Sequence, residues 1–511
     1  MADELTDSWC LPPGVTPEAL YTRLGKKFRL LHQAQRQVNL TYCDSFDWRL
    51  LRGGYLLGCN GTSWTLFDRA SGAPLAQERG PRLGKRCFSW ELPPGRLQDL
   101  LAPLLEMRSV LPLVMSTVTT QETRILNRDD KTVVRLALEQ HLPEEGGEPL
   151  QGVHLEPVRG YTSELEALRK FFAKLDPLKR PLSLLDLEQG LARQGRSLDD
   201  YSSRFELQLD PDQTAGSALI QIYLRLLASM QVNLPGTLAD LDSEFLHDFR
   251  VAIRRTRSGL ALIKKVFPAE VVRHYQQAFA YLGQITGPTR DLDVYLLYEE
   301  LYRSRLPEFL HQGFHAFFED LALLRAGEQK KMARALRGPR VEEIFASWGN
   351  YLKEGDISSA PLAEVPVVDV ARRVISKRYQ RVLKDGRAIT PKSPDQDIHR
   401  LRIQGKKLRY TIEFFGSLFP EEEIALVIKR LKKLQNYLGD FNDLSVQQEM
   451  LHHHLQGIRP GSRRNLELGA ALGGLVSTLH QEQLKARGNF GAVFERFSGG
   501  RNEALFTRLF S

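Results

Sequence analysis

The sequence predicts two fold classes in one chain: an α+β region built on antiparallel strands, then an all-α region that is internally duplicated. Three observations carry this. Short β-branched and aromatic runs separated by Gly, Asn and Asp fill the first two hundred residues. Apolar residues at helical spacing dominate afterwards. The segment His247 to Val294 recurs 152 positions later without a gap. The pattern changes at Leu209-Asp210-Pro211-Asp212, which sets the expected boundaries: residues 1–208, then 209–490, then 491–511 as a C-terminal extension. A chain of 511 residues is long enough for two or three domains.

In the first region, Val38 to Tyr42, Gly54 to Leu57 and Ser63 to Phe67 read as strands. Residues 121–139 and 150–158 supply more strands, and Ser163 to Leu175 reads as an amphipathic helix. In the second region, the break from Gly355 to Pro366 separates repeat one (about 213–354) from repeat two (about 366–490).

The duplicated segment keeps 11 identities in 48 positions. The shift lays His247 on His399, Arg250 on Arg402, Arg254-Arg255 on Lys406-Lys407, Arg257 on Arg409, Gly287 on Gly439 and Asp291-Leu292 on Asp443-Leu444. At about 100° per residue, His247, Arg250, Arg254 and Arg257 share an arc of about 80° that Lys265 rejoins, beside an apolar arc of Phe249, Ile253, Leu260 and Phe267. His399, Arg402, Lys406 and Arg409 repeat the design beside Leu401, Leu408, Ile412 and Phe419. Asp242 or Ser243 is the expected cap of the first helix. Ser393-Pro394 supplies a cap and an N1 proline for the second, and Phe-Pro stops both.

Six Lys or Arg between 247 and 265 are opposed only by Asp248, and five between 399 and 413 only by Glu413. Such stripes repel themselves and call for an anion. A single basic helix is ordinarily a solvated face; duplication favours a shared anion groove, because two related helices can set their stripes side by side. The competing reading is internal pairing with Asp291, Asp293, Asp440 and Asp443. These follow Gly287-Pro288 and Gly439, so each pair is expected in the first turn of a new helix, capping and orienting rather than binding metal. Arg373, Lys377, Arg381 and Lys384 form a further stripe expected to line the groove, whereas Lys330, Lys331 and Arg334 read as ordinary surface.

The motifs His247-x-x-Arg250-Val251-x-x-Arg254-Arg255-x-Arg257 and His399-x-x-Arg402-x-x-x-Lys406-Lys407-x-Arg409-Tyr410, with Arg290-Asp291-Leu292-Asp293-Val294 downstream, resemble the CHAD domain, the conserved histidine α-helical domain, over roughly residues 210–490. The resemblance implies two pseudo-symmetric four-helix units and a basic surface that binds inorganic polyphosphate. Carried onto this chain, the expected polyphosphate-binding residues are His247, Arg250, Arg254, Arg255, Arg257, Lys265, Arg290, Lys377, Arg381, His399, Arg402, Lys406, Lys407 and Arg409. Arg grips two phosphate oxygens at once and Lys supplies a point charge. The two histidines either donate to phosphate or are structural; the residues alone leave both open.

Tyr42-Cys43-Asp44-Ser45-Phe46-Asp47-Trp48-Arg49-Leu50-Leu51, with Gly54-Tyr55-Leu56-Leu57 and Trp64-Thr65-Leu66, resembles the CYTH fold, an antiparallel barrel or tunnel shared by adenylate cyclases and thiamine triphosphatases. Members of that family open with a Glu-x-Glu-x-Lys strand that holds the metal. Here the expected opening strand, Lys27-Phe28-Arg29-Leu30-Leu31, has no acids. The family's Arg-bearing strand reads Leu56-Leu57-Gly58-Cys59, the Lys after Trp-Thr-Leu is Phe67, and His154-Leu155-Glu156-Pro157 keeps one Glu. A divalent ion needs several oxygen ligands, so the region reads as a degenerate, catalytically silent relative. No catalytic residue, metal or cofactor is assigned. The alternatives are a residual metal-dependent triphosphatase and an RNA- or DNA-binding module.

A net charge of +8 and a pI near 9.2 favour polyanionic partners. Tyr410 is almost the only ring near either stripe, which favours a bare phosphate chain over stacked bases. Cys10, Cys43, Cys59 and Cys87 lack a paired spacing, which argues against zinc or a disulfide framework. His452-His453-His454 reads as exposed helix surface. Met1-Ala2-Asp3-Glu4 is acidic with no apolar run behind it, and no stretch of 18 apolar residues occurs, so the expected setting is the cytoplasm, at polyphosphate granules, with no membrane partner.

Overall fold

The first region's short β-branched and aromatic runs build one curled antiparallel sheet of nine strands among the described residues, which are 7–144, 149–459 and 461–511 of the computed structural model. The acidic amino terminus lies outside them. The elements are β1 (Asp7–Cys10), α1 (Pro17–Gly25), β2 (Arg29–His32), β3 (Arg36–Asp44), α2 (Arg49–Arg52), β4 (Tyr55–Asn60), β5 (Ser63–Asp68), β6 (Pro74–Arg79), α3 (Arg96–Leu105), β7 (Leu111–Leu126), β8 (Thr132–Pro143), β9 (Leu150–Pro157), α4 (Thr162–Ala173) and α5 (Leu182–Arg193). The sheet order is β1-β9-β8-β7-β3-β4-β5-β6, with β2 also on β7. The strand expected to open the domain is therefore the second one; β1 precedes it and pairs with β9.

Period-two alternation decides what each sheet face carries. Val134, Leu136 and Leu138 of β8 pack with Leu168 and Phe172 of α4. The opposite face carries Arg135, Glu139 and His141, and α5 docks there through Asp186. Ser116 Oγ and His141 Nδ1 donate to the two Asp186 oxygens at 2.7 and 2.8 Å. Glu139 accepts from His154 Nε2 at 3.2 Å and lies 3.5 Å from His141 Nε2. These two carboxylates outweigh the cost of burial and raise the His141 pKa to about 9.

The chain divides after Ser203, slightly before the expected boundary. The second unit contains α6 (Ala215–Ala239), α7 (Ser243–Leu262), α8 (Ala269–Leu297), α9 (Glu299–Ser304), α10 (His311–Leu336), α11 (Pro339–Glu354), α12 (Val367–Arg387), α13 (Asp395–Phe415), α14 (Glu421–Gly457), α15 (Arg463–Ser498) and α16 (Gly500–Phe510). The duplication is visible in the helix starts. The first residues of α6 and α12, α7 and α13, α8 and α14, and α10 and α15 all stand 152 apart. Two four-helix units result, the fourth helix of each being broken, before Pro339 and at Gly499.

The units meet about a pseudo-two-fold axis. Ala215 N donates to Val365 O at 2.8 Å, and the equivalent Val367 N donates to Gln213 O at 3.0 Å. One apolar core runs through both repeats, including Phe249, Trp348, Leu401 and Leu431, and a second joins Tyr302 and Phe314 to Leu451 and Leu475. The residues expected as an extension belong to the first: α15 continues past residue 490, and Phe506 of α16 stacks on Tyr379 at 3.8 Å.

Two expectations about helix ends need correction. α8 runs straight through Gly287-Pro288, and α14 through Gly439, so Asp291, Asp293, Asp440 and Asp443 sit inside helices rather than at N-termini. Pro288 removes a single amide donor, a loss that packing against α7 and α10 outweighs. Asp242 does cap α7, accepting from Glu244 N and Phe245 N. In α13, by contrast, Pro394 occupies the N-cap position, and Ser393 Oγ instead takes the Thr390 amide at 2.9 Å.

Candidate functional site

α7 packs on α8, α13 packs on α14, and α7 and α13 also touch each other. The side chains between them repeat at the same offset as the sequence. His247 Nδ1 accepts from Arg290 Nη2 at 2.8 Å, and its copy His399 bonds through Nδ1 to Asn442, which stands where Arg290 does. Both rings thus turn toward the neighbouring helix, fixing its register. Arg257 lies over Gly283, where a Cβ would come 3.2 Å from Nη1; its copy Arg409 reaches Gln435, the residue equivalent to Gly283, at 3.4 Å.

The stripes meet at Arg254 and its own copy, Lys406. Burial first, then the charges of Arg402 and Arg254, push the Lys406 pKa down to about 8. Arg250 is lowered to about 10, chiefly by burial and then by Arg254. It donates to Gly283 O at 2.9 Å and Thr286 Oγ1 at 2.8 Å. Among the described residues, no ion pair reaches Arg250, Arg254, Arg257 or Lys406.

Residues 221–452, which include every one of these side chains, match the CHAD domain family. The helical unit carries a CHAD domain. Two uncharacterized proteins of Mycobacterium tuberculosis are each 26% identical over 220 residues, 40% of this chain and 39% of theirs. The matched segment therefore spans about two fifths of the length of these curated relatives. The crystal structure of the CHAD domain from the plant Ricinus communis is similar at 26% identity and TM-score 0.48, covering 57% of this chain and 96% of that one. PptA from Streptomyces chartreusis is similar at 15% identity and TM-score 0.44, covering 55% and 100%.

Other expected residues of the CHAD domain have partners within the fold. Glu413 takes Arg255 at 2.7 Å and Arg409 at 2.6 Å, joining the two repeats, and Arg255 also lies over the Tyr410 ring. Arg290 reaches Glu244 at 3.6 Å, Arg402 reaches Asp443 at 3.5 Å and Arg381 reaches Asp385 at 2.9 Å. Lys377 is exposed on α12. Lys407 has its pKa lowered by burial and by Arg378 of α12, so it faces that helix. Lys265 leaves the stripe: α7 ends at Leu262, and Lys265 sits in a left-handed turn (φ 68°) lining a cavity of about 520 Å³ with Lys264 and Arg273. Helical spacing alone gave no stop signal before Phe267.

The sequence reading missed Thr286, Gln435, Asn442 and Arg378. The shift that aligns His247 with His399 also aligns Arg290 with Asn442, so that partner was within reach. It also missed Tyr295, whose hydroxyl pKa rises to about 12 through burial and the negative charges of Asp291, Glu449 and Asp443. The equivalent acids Asp291 and Asp443 thus converge beside the cations. Among the described residues, no group of three or more His, Cys, Asp or Glu is arranged to hold a metal. His452 and His453 are exposed, while His454 packs edge-on against Phe317. The four cysteines are buried thiols, and no described helix is long and apolar enough to cross a membrane.

Proposed function

We propose that the CHAD domain binds inorganic polyphosphate across its pseudo-two-fold axis, with the sheet unit as a catalytically silent, CYTH-like companion. One observation carries the reading: Arg250, Arg254 and Lys406 cluster where α7 meets α13, none of them in an ion pair among the described residues, and the charge of Arg254 bears on both Arg250 and Lys406. A fold leaves such repulsion in place when a ligand relieves it. A linear phosphate chain supplies about one negative charge per link, and counterion release drives its association with a row of cations. Arg250 and Arg402 extend the row on either side.

On the sheet unit, the acids that a triphosphatase would need for metal are engaged elsewhere. Glu156 is paired with Arg135 at 2.8 Å, Glu122 with Arg36 at 4.0 Å, and Glu139 serves two histidines. This supports binding over hydrolysis.

Replacing Arg250, Arg254, Arg402 and Lys406 together by Glu is expected to abolish binding of long-chain polyphosphate in a fluorescence or calorimetric titration. Retained affinity at moderate salt would overturn the proposal. RNA competing at matched phosphate concentration separates the nucleic-acid reading, since a preference for RNA would point to base stacking that the groove does not offer. Release of phosphate from tripolyphosphate with magnesium or manganese, lost on Glu156→Gln, would restore the enzyme reading.

A further inference from the structure

The two halves of the groove descend from one segment yet carry different electrostatics. In repeat one, Arg257 has no ion pair among the described residues; its copy Arg409 is held by Glu413. Glu413 has no acidic counterpart, because Ala261 occupies the equivalent position. In repeat one, Arg250 is drawn to the backbone and hydroxyl of α8 by Thr286. Its copy Arg402 finds Leu438 at the position of Thr286 and turns to Asp443. Arg290 also becomes Asn442, and Arg254, able to grip two oxygens, becomes the point charge Lys406. Asp291, the counterpart of Asp443, lies near Arg250 and Arg254 without an ion pair among the described residues, whereas Asp443 reaches Arg402, so on balance the second half is the weaker for an anion.

We infer that the groove is graded: repeat one is the anchoring subsite for phosphate, and Glu413 with Asp443 restrain repeat two so that it engages only a chain long enough to cross the axis. This rests on the polyphosphate reading above and adds the residues that set length selectivity. A short chain seated on Arg250, Arg254 and Arg257 gains little from displacing a carboxylate on the far side. A long chain brings several phosphates to Arg402 and Arg409 at high effective concentration, and so competes with the two acids. On repeat two Glu413 is the stronger restraint, because its carboxylate, 12% exposed, lies 2.6 Å from Arg409, whereas Asp443, 41% exposed, lies 3.5 Å from Arg402.

The test uses the full chain with tripolyphosphate and a long-chain polyphosphate as probes, each variant being checked by thermal melting. Arg254→Ala with Arg257→Ala is expected to weaken tripolyphosphate about tenfold, and Arg402→Ala with Arg409→Ala less than about twofold. Glu413→Gln with Asp443→Asn is expected to strengthen tripolyphosphate about fivefold and long chains by less. Asp443→Asn alone, at a carboxylate 41% exposed, gives a smaller gain without touching the Arg255 pair. Equal losses from the two alanine pairs, or no gain in either carboxamide variant, would overturn the graded groove while leaving polyphosphate binding intact. Failure of the wild-type chain to bind either probe would instead remove the underlying reading.

Discussion

The sheet unit and the cation stripes of the helical unit treat buried charge in opposite ways, although elsewhere in the helical unit Arg325 is met by Asp240 and Asp293. In the sheet unit Arg108, 1% exposed, lies 3.3 Å from Asp47, and His141 sits between Asp186 and Glu139. In the helical unit Arg250, Arg254 and Lys406 are drawn partly out of water and set against one another. A charge met within the fold is architecture; a charge left facing its like is open to a ligand. The contrast explains why both regions are rich in Arg and only one is proposed to bind.

Breaking the sheet unit's compensation is expected to have the largest effect. Arg108→Ala leaves the buried Asp47 with only Arg49 and Ser45 as partners and is expected to cost about 3 kcal/mol, read from urea unfolding followed by tryptophan fluorescence. A cost below about 1 kcal/mol would show that this charge is not structural. On the helical side, Arg254→Glu with Lys406→Glu is expected to lower long-chain polyphosphate affinity about 100-fold, roughly 2.7 kcal/mol, with the fold intact. The control swap Arg135→Glu with Glu156→Arg is expected to change affinity less than about twofold.

His141 sharpens the contrast through pH. Its folded pKa, about 9, exceeds the ordinary 6.5. Its contribution is therefore complete below about pH 6.5 and is lost as pH rises through about 9, a loss of roughly 3 kcal/mol in the sheet unit's stability. His141→Gln is expected to flatten that slope; an unchanged slope would remove His141 as its cause.

Lys406 gives the smallest effect, of opposite sign. Its folded pKa is depressed to about 8 from 10.5, so the free protein gains stability as pH climbs through that window. Polyphosphate favours the protonated amine, so affinity is expected to fall about fivefold above pH 8. Lys406→Arg is expected to abolish the inflection, and an inflection that persists would assign it to another group.

Much of the fold was legible because two independent periodicities agree with the tertiary structure. Short β-branched and aromatic runs located β3, β4, β5, β9 and parts of β7 and β8, and the 152-residue shift paired α7 with α13, whereas the starts of the other paired helices were not foreseen. β1 and β6 escaped: the first is four residues at a sheet edge, and the second begins at Pro74, a poor strand signal. Within the site, helical spacing identified which cations share a face but could not say which acids meet them. Glu413 was visible only as a lone negative charge on its own helix, although it takes Arg255 from the other repeat. The histidines were ambiguous because ring direction depends on Arg290 and Asn442, forty-three positions away in each repeat.

The salt dependence of long-chain polyphosphate binding to the 511-residue chain tests the central claim most directly. If Arg250, Arg254, Arg402 and Lys406 each neutralise a phosphate, log affinity falls against log salt with a slope of about −3 to −4. A slope near zero, or no binding at low salt, would contradict the account.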